Sequence, residues 1–366
     1  MRINPYEDKE LKMDNKLKKL LVKLYQNNRL DRGQLQYILD NISYRTAGLL
    51  FVYARKTRLK TYQRKVYLRA LLEFSNYCKK DCRYCGIRRS NKKINRYRLL
   101  PEKILECCGS AYHRGYRTVV LQSGEDLFYT TGVLVELIKQ IKKNFPGTAV
   151  TLSTGEASYE SYRRLFRAGA DRFLLRHETV SETLYRKYHP GMSYHRRFQC
   201  LADLKDLGYQ VGAGFIVGLP GQTSELLAEE LLFLKELDPD MVGIGPLIPH
   251  PETPLGNSRA GSVEQTLMLL ALIRLLLPET LLPVTTAVNT LDKRGWEKGL
   301  QAGANVIMPV VSPPSDREKY EIYKNKGNTD LTTPAEIKKR VERAGFAVDM
   351  SRGDSRKWWK KKTGKG

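Results

Sequence analysis

Residues 68–90 read LRALLEFSNYCKKDCRYCGIRRS. The largely apolar run 68–74 reads as a buried strand, and it feeds a loop carrying Cys78, Cys82 and Cys85. Three clustered thiols at a strand end read as a metal site. A structural zinc normally closes with four ligands, and no fourth Cys or His follows at finger spacing. A cubane iron–sulfur cluster can use three thiolates and leave one iron open to a ligand. Disulfide pairing fits poorly, because an odd trio cannot pair off. Spacing alone favours the cluster and leaves zinc open.

Outward from this stretch the same beat recurs. Apolar runs TVVLQSGE (118–125), AVTLSTGE (149–156), RFLLRHE (172–178) and QVGAGFIVGLP (210–220) follow. MVGIGPLIP (241–249), LLPVTTAV (281–288) and NVIMPVVSP (305–313) complete the set. Amphipathic helical patterns such as TGVLVELIKQIKKNF and SELLAEELLFLKEL lie between them, several ending at a glycine. Eight strands with seven intervening helices predict an α/β fold, a (β/α)8 TIM-type barrel, over residues 66–315. An open doubly wound sheet is the runner-up, weakened by the lack of a Gly-rich dinucleotide turn. Residues 1–65 read as a helical extension, with a first helix over 10–28 and a second capped by Asp31. Residues 316–366 read as a short helical segment, PAEIKKRVERAGF, and a basic, mobile tail.

The 366 residues carry a net charge of +24. Such a balance favours nucleic acid, acidic proteins or anionic small molecules. No nucleic-acid module is recognisable, so nucleic acid is not the expected partner, and a solvated basic surface is the plainer reading. No stretch approaches about 20 uncharged apolar residues, so no membrane span is expected. The start, MRINPYEDKELKMDNK, lacks the apolar core of a signal peptide, which points to the cytoplasm.

In a barrel the chemistry gathers where strand C-termini meet the following loops. Those ends carry Gln122, Ser123 and Glu125, then Thr151, then Arg176, His177 and Glu178. Further on come the glycines of the fifth run, Met241, His250, Thr285, Thr286 and Met308. Each has a plainer role available. The carboxylates could cap or pair on loops, the histidines could be hydrogen-bonded in the core, and the methionines could fill space. The threonines suit strands, and Cys107, Cys108 and Cys200 lie on predicted helices as small buried hydrophobes. Convergence at one end, facing the three thiols, lifts the polar set above these readings.

The loop Cys78-Lys-Lys-Asp-Cys82-Arg-Tyr-Cys85 resembles that of the radical S-adenosylmethionine (SAM) superfamily. The strings VVLQSGED, LLRHET, GAGFIVGLPGQT, MVGIGPLIPHPETPL and ANVIMP are similar to the FeFe-hydrogenase maturase family HydE, from about Arg69 to Met308. The resemblance implies that Cys78, Cys82 and Cys85 ligate one 4Fe–4S cluster whose fourth iron takes SAM. It implies SAM contacts from Gln122, Ser123, Glu125, Thr151, Glu178, Arg197 and Ile216. A guanidinium fork such as that of Arg197 suits a carboxylate. Arg69, Thr151, Arg176, Met241, Thr285, Thr286 and Tyr320 would line the catalytic and substrate cavity. The implied activity is reductive cleavage of SAM to methionine and a 5′-deoxyadenosyl radical. The implied substrate is a cysteine-ligated iron dicarbonyl cyanide complex used to build the hydrogenase diiron subcluster. Its implied partners are a one-electron donor such as ferredoxin or flavodoxin and other hydrogenase maturation proteins.

One departure is clear. Some family members carry a second cysteine triplet near the C-terminus, whereas residues 323–366 hold no cysteine. A single cluster is therefore expected. The alternatives are a methylornithine synthase-like mutase, a biotin synthase-like sulfur inserter, and a non-catalytic iron–sulfur carrier.

Overall fold

The computed structural model describes residues 13–326 and 333–364. The opening stretch forms two strand segments, β1 (Lys65–Leu68) and β2 (Ala70–Ser75), on either side of Arg69. Next come β3 (Thr118–Ser123), β4 (Ala149–Ser153), β5 (Arg172–Leu174), β6 (Gln210–Ala213) and β7 (Ile216–Val217). Then follow β8 (Met241–Val242), β9 (Gly245–Pro246), β10 (Pro283–Val284), β11 (Val306–Ile307) and β12 (Ala347–Asp349). One parallel sheet runs β2-β3-β4-β5-β6-β8, and a second runs β10-β11-β1-β12. The sheets share the chain through Arg69, whose N–H donates to the Ile307 carbonyl at 3.0 Å. They meet again where Met241 bridges Leu281 in parallel. Every residue of β2 is buried, as expected for a parallel strand covered on both faces. The fold is α/β.

Helices cover the outside for legible reasons. In Thr131–Asn144 the Thr130 hydroxyl accepts the Val133 N–H, and Leu134, Leu137, Ile138 and Ile141 form one buried stripe. Burying each such side chain is worth about 1.5–3 kcal/mol. Helix Arg32–Asn41 begins with the capping box of Asp31 and Gln34. It packs on Ser224–Leu237, while Gly48–Tyr62 packs on Val263–Leu276. Leu17, Leu35 and Leu50 thereby join the same apolar cluster as the strands. The first helix is Asn15–Asn27; residues 10–12 of the expected one lie outside the described residues.

Four expectations need correction. The run 241–249 is not one strand: it holds β8 and β9, with Gly243 and Ile244 between them. The run 210–220 is not one strand: it breaks at Gly214, where a Cβ would lie 2.0 Å from the Gly243 carbonyl oxygen. The run 281–288 stops at Val284, and Thr286–Leu291 is helical despite its β-branched residues. The tail is folded over residues 347–363, where a loose basic end is expected. β12 pairs with β1, Lys65 opposite Ala347, and Arg356–Thr363 forms a helix. Between them Asp354 accepts from Arg172 at 2.5 Å and Gln210 at 2.7 Å, while Gln210 accepts the Ser355 N–H at 2.8 Å. Arg172 and Gln210 are the first residues of β5 and β6, so the tail covers the N-terminal end of the sheet. Among the described residues no helix is long and apolar enough to cross a membrane.

Candidate active site

The cysteine loop is fixed by its own charges. The Arg88 guanidinium forks onto Asp81 at 2.8 and 2.5 Å, and Arg96 donates to the carbonyls of Asn76, Ile87, Arg88 and Asn91. The Gly86 N–H donates to the Ile322 carbonyl at 2.9 Å, an approach that leaves a Cβ only 2.0 Å from the Glu321 oxygen. Only glycine fits there. At Gly124 a Cβ would lie 2.2 Å from the Tyr77 oxygen, and next to it the Glu125 N–H points at Cys78 Sγ, 3.4 Å away.

Burial pushes all three thiols up: Cys78 above its usual value, Cys85 to about 12, and Cys82 well above its usual value, with Cys85 and Cys78 beside it adding to the effect. Thiolates in such a place need a cation's field to form. Among the described residues no three His, Cys, Asp or Glu side chains gather closely enough for one metal ion. Tetrahedral zinc would bring its sulfurs to about 3.8 Å from one another, from a Zn–S bond of about 2.3 Å. Three thiols are one short of the four ligands that close a structural zinc site, and they suit a multi-iron cluster with one open iron.

A cavity of about 290 Å³ opens at the C-terminal ends of the strands, beside the loop. Of the residues singled out from sequence, Cys82, Cys85, Gln122, Arg176, Glu178 and Ile216 line it, as do Thr285, Thr286 and Met308. Thr285 donates to the Ile244 carbonyl at 3.0 Å, and the Thr286 and Tyr323 hydroxyls are 2.8 Å apart. Cys78, Ser123, Glu125 and Arg197 lie off the cavity wall. Ser123 turns its hydroxyl to the Gly124 carbonyl at 2.7 Å. Arg197 is taken by Glu156 at 2.9 Å and by the Arg176 carbonyl at 2.9 Å. Burial alone would lower the Arg197 guanidinium; Tyr185, Glu156 and Glu178 outweigh it and hold the pKa up.

Four others are deeper than expected. Arg69 and Thr151 are fully buried, and Met241 and Tyr320 nearly so. Arg69 donates to Met241 Sδ at 2.9 Å and to the Gly353 carbonyl at 3.1 Å, so its charge is turned toward the tail. Tyr320 receives the Gln122 amide at 3.3 Å. His177 is a core histidine, 2.8 Å from the buried Glu230. Sequence reasoning missed Glu156, Lys326 and His189 as site residues. Glu156 was visible, ending its strand run in the TGE string as Glu125 ends SGE. Lys326 lines the cavity and donates to the buried Glu73, a pairing across 253 positions that no local pattern announces.

Two acceptors stand out. Glu125 Oε2 and Glu178 Oε2 are buried and make no hydrogen bond among the described residues. Lys79 and Lys80 stand 3.6 and 3.7 Å from the first, and Arg176 3.5 Å from the second. Burial raises the Glu125 pKa, with Lys80 opposing. Glu178 also holds φ 68°, a left-handed conformation that costs a non-glycine residue about 1–3 kcal/mol. Its N–H donates to the Gly214 carbonyl and its own carbonyl takes the Ile216 N–H, each at 3.1 Å. Strain and unmet hydrogen bonding at one residue mark a ligand-facing position.

Residues 72–234 match the radical SAM superfamily. The [FeFe] hydrogenase maturase subunit HydE of Thermotoga maritima is 51% identical over 277 residues, 76% of this chain and 79% of that protein. The chain belongs to the radical SAM superfamily and, within it, to the HydE family. It is also 31% identical to the 3-methylornithine synthase of Methanosarcina acetivorans, over 82% of this chain and 85% of that one. The crystal structure of methylornithine synthase (PylB) superposes with a TM-score of 0.78 at 28% identity, covering 90% of this chain and 97% of that one.

Radical SAM membership implies a 4Fe–4S cluster and SAM. The residues present fit both: three thiols without a fourth, and two buried carboxylate oxygens lacking the donors that an amino group and ribose hydroxyls would offer.

Proposed function

We propose that this chain is a radical SAM maturase of the HydE type, acting in assembly of the diiron subcluster of FeFe-hydrogenase. The observation that carries the reading is the cavity wall, which sets Cys82 and Cys85 beside the Glu178 carboxylate, one oxygen of which lacks a hydrogen bond. Cys78, Cys82 and Cys85 would hold one 4Fe–4S cluster. When bound and reduced, the cluster supplies the electron that cleaves SAM to methionine and a 5′-deoxyadenosyl radical. Glu125 and Glu178 would take its amino and ribose donors, Gln122 and Ser123 would lie beside them, and Ile216 would form an apolar wall. Arg197 would reach the SAM carboxylate after giving up part of its pairing with Glu156.

The hydrogen-bonded circuit of eight parallel strands supports a closed (β/α)8 barrel, with boundaries near 65 and 315. A closed barrel keeps water from reactive species. The chain's part is orientation and electrostatics around the cofactor. Arg176, Thr285, Thr286 and Lys326 would contact an anionic, sulfur-containing iron dicarbonyl cyanide substrate. Arg69, Thr151, Met241 and Tyr320 would support that wall from behind. Partners would be a one-electron donor and other maturation proteins, in the cytoplasm.

Anaerobic reconstitution with iron and sulfide, then dithionite and SAM, tests the chemistry through methionine and 5′-deoxyadenosine. A full cluster without SAM cleavage under any condition defeats the radical-enzyme reading and leaves an iron–sulfur carrier. Cleavage without support for activation of an apo-hydrogenase defeats the maturase assignment alone. The likeness to methylornithine synthase favours a second reading, an amino-acid mutase. A mutase would pass deuterium from substrate into 5′-deoxyadenosine.

A further inference from the structure

Residues 79–98, KKDCRYCGIRRSNKKINRYR, hold nine Lys or Arg and a single acid, a net charge of +8 in a chain of net +24. A third of the net charge lies in 20 residues, and those residues hold two of the three clustered cysteines.

Lys79 and Arg98 are exposed and pair with Glu125 at 3.6 Å and Asp126 at 2.6 Å; the other seven cations fall into two groups. Arg88 and Arg96 are half-buried and spent on Asp81 and on loop carbonyls, and Lys80 on Glu156. They build the loop. Arg83, Arg89, Lys92 and Lys93 are exposed. Among the described residues the side chains of Arg83, Arg89 and Lys92 make no ion pair, and Lys93 has only the rim acid Glu252, at 2.9 Å. Arg83 stands between Cys82 and Tyr84, and the Arg89 N–H donates to the Lys80 carbonyl at 2.8 Å, folding the 88–93 turn back over the cysteine segment. Uncompensated charge is thus concentrated on the outer face of the loop whose inner face presents the thiols. A scattered basic surface would not be arranged so.

We propose that this face docks an acidic one-electron carrier protein. The inference rests on the radical SAM reading, which needs one electron delivered at the cysteines. The exchange balances simply: the reduced carrier loses one electron, the cluster gains it, and no proton or group moves. Rim charges of this kind steer encounter and set salt dependence, and their screening length at 0.1 M salt is about 10 Å.

The test compares two triple reversals of equal charge. Arg89→Glu/Lys92→Glu/Lys93→Glu alters the patch; Lys18→Glu/Lys19→Glu/Lys23→Glu alters exposed positions on the helix Asn15–Asn27. Titration with an oxidised acidic ferredoxin at low salt gives Kd without turnover. The patch variant should weaken binding about tenfold or more and flatten its salt dependence, while the control stays within about threefold of the parent. A neutral Arg89→Gln/Lys92→Gln/Lys93→Gln variant should fall between, guarding against misfolding of the charge reversal. With the reduced ferredoxin as donor, SAM cleavage at limiting carrier should fall in step, and with dithionite it should stay within about twofold. Equal loss in patch and control variants would overturn the proposal, since net charge alone would then be responsible. So would unchanged carrier affinity in the patch variant. Failure of dithionite-driven cleavage in the parent defeats the radical SAM reading instead, and the binding titration still judges the docking face.

Discussion

The Tyr84 hydroxyl lies 2.8 Å from Nε2 of His189, while Nδ1 of the same ring lies 2.9 Å from the Tyr185 carbonyl. The carbonyl can only accept, so Nδ1 carries the proton and Nε2 accepts from Tyr84. The imidazole is neutral and stacked on Tyr185, with ring centroids 4.2 Å apart. Tyr84 lines the cavity between Cys82 and Cys85, so this chain of contacts orients one of its walls.

Burial pushes His189 down to about 4 from its ordinary 6.5. Between those values the unfolded chain binds the extra proton, so the stabilisation is full above pH 6.5 and is lost as pH falls toward 4. At pH 5.5 the loss from this residue is about 1.4 kcal/mol. A His189→Gln variant, unable to titrate, should lose less stability than the parent between pH 7.5 and 5.5. Urea unfolding at the two pH values measures the difference. An identical loss in both proteins would mean that His189 is not held neutral.

Glu178→Gln keeps size and removes charge at a residue that is strained and holds one oxygen without a hydrogen bond. SAM affinity should fall about 10- to 100-fold, the worth of a charged hydrogen bond of roughly 1.5–3 kcal/mol. Thermal stability should stay close to the parent's, because relief of the buried oxygen that lacks a hydrogen bond offsets loss of the Arg176 attraction at 3.5 Å. Equilibrium binding of SAM to reconstituted protein checks this. Unchanged affinity would assign Glu178 to loop structure only.

Cys82→Ala removes the thiol at the centre of the trio. The reconstituted variant should lose the brown 4Fe–4S absorption and bind far less iron and sulfide per chain. Cys107→Ala, on the helix Pro101–His113, should leave both unchanged. A full cluster in Cys82→Ala would remove the ligand assignment.

What was legible in the sequence follows the range of the interactions. The strand beat, the Asp31 cap and the cysteine trio are local patterns; the cap and the trio sit where the sequence puts them, and the beat does so except in the runs 210–220, 241–249 and 281–288. The breaks at Gly214 and Gly243 depend on two backbones meeting, which neither segment announces alone. The run 281–288 misled because its β-branched residues continue past Val284, where the strand ends and the helix Thr286–Leu291 follows. Arg69 was taken for a cavity residue; its strand position was right, and the side chain turns to Met241 and Gly353, 172 and 284 positions away. The tail was missed for the same reason. Its anchors are polar and lie on the far side of the chain.

That tail gives the last prediction. The Arg172 and Asp354 side chains are each 3% exposed and pair at 2.5 Å, with Arg352 supplying a second guanidinium 2.9 Å from the carboxylate. Burial works against the Asp354 charge, and the two arginines override it, holding the carboxyl well below its usual range. Asp354→Ala would strand Arg172 in the interior, at a cost of about 3–5 kcal/mol. The urea midpoint should drop with little change in slope. SAM affinity should stay put, because the pair sits at the strand N-termini, across the sheet from the cysteines. Replacing both partners, Arg172→Met with Asp354→Leu, should recover most of the loss, since no unpaired charge remains. A single-variant loss below about 1 kcal/mol would show that water reaches Arg172, and that the tail lies on the sheet end without closing it.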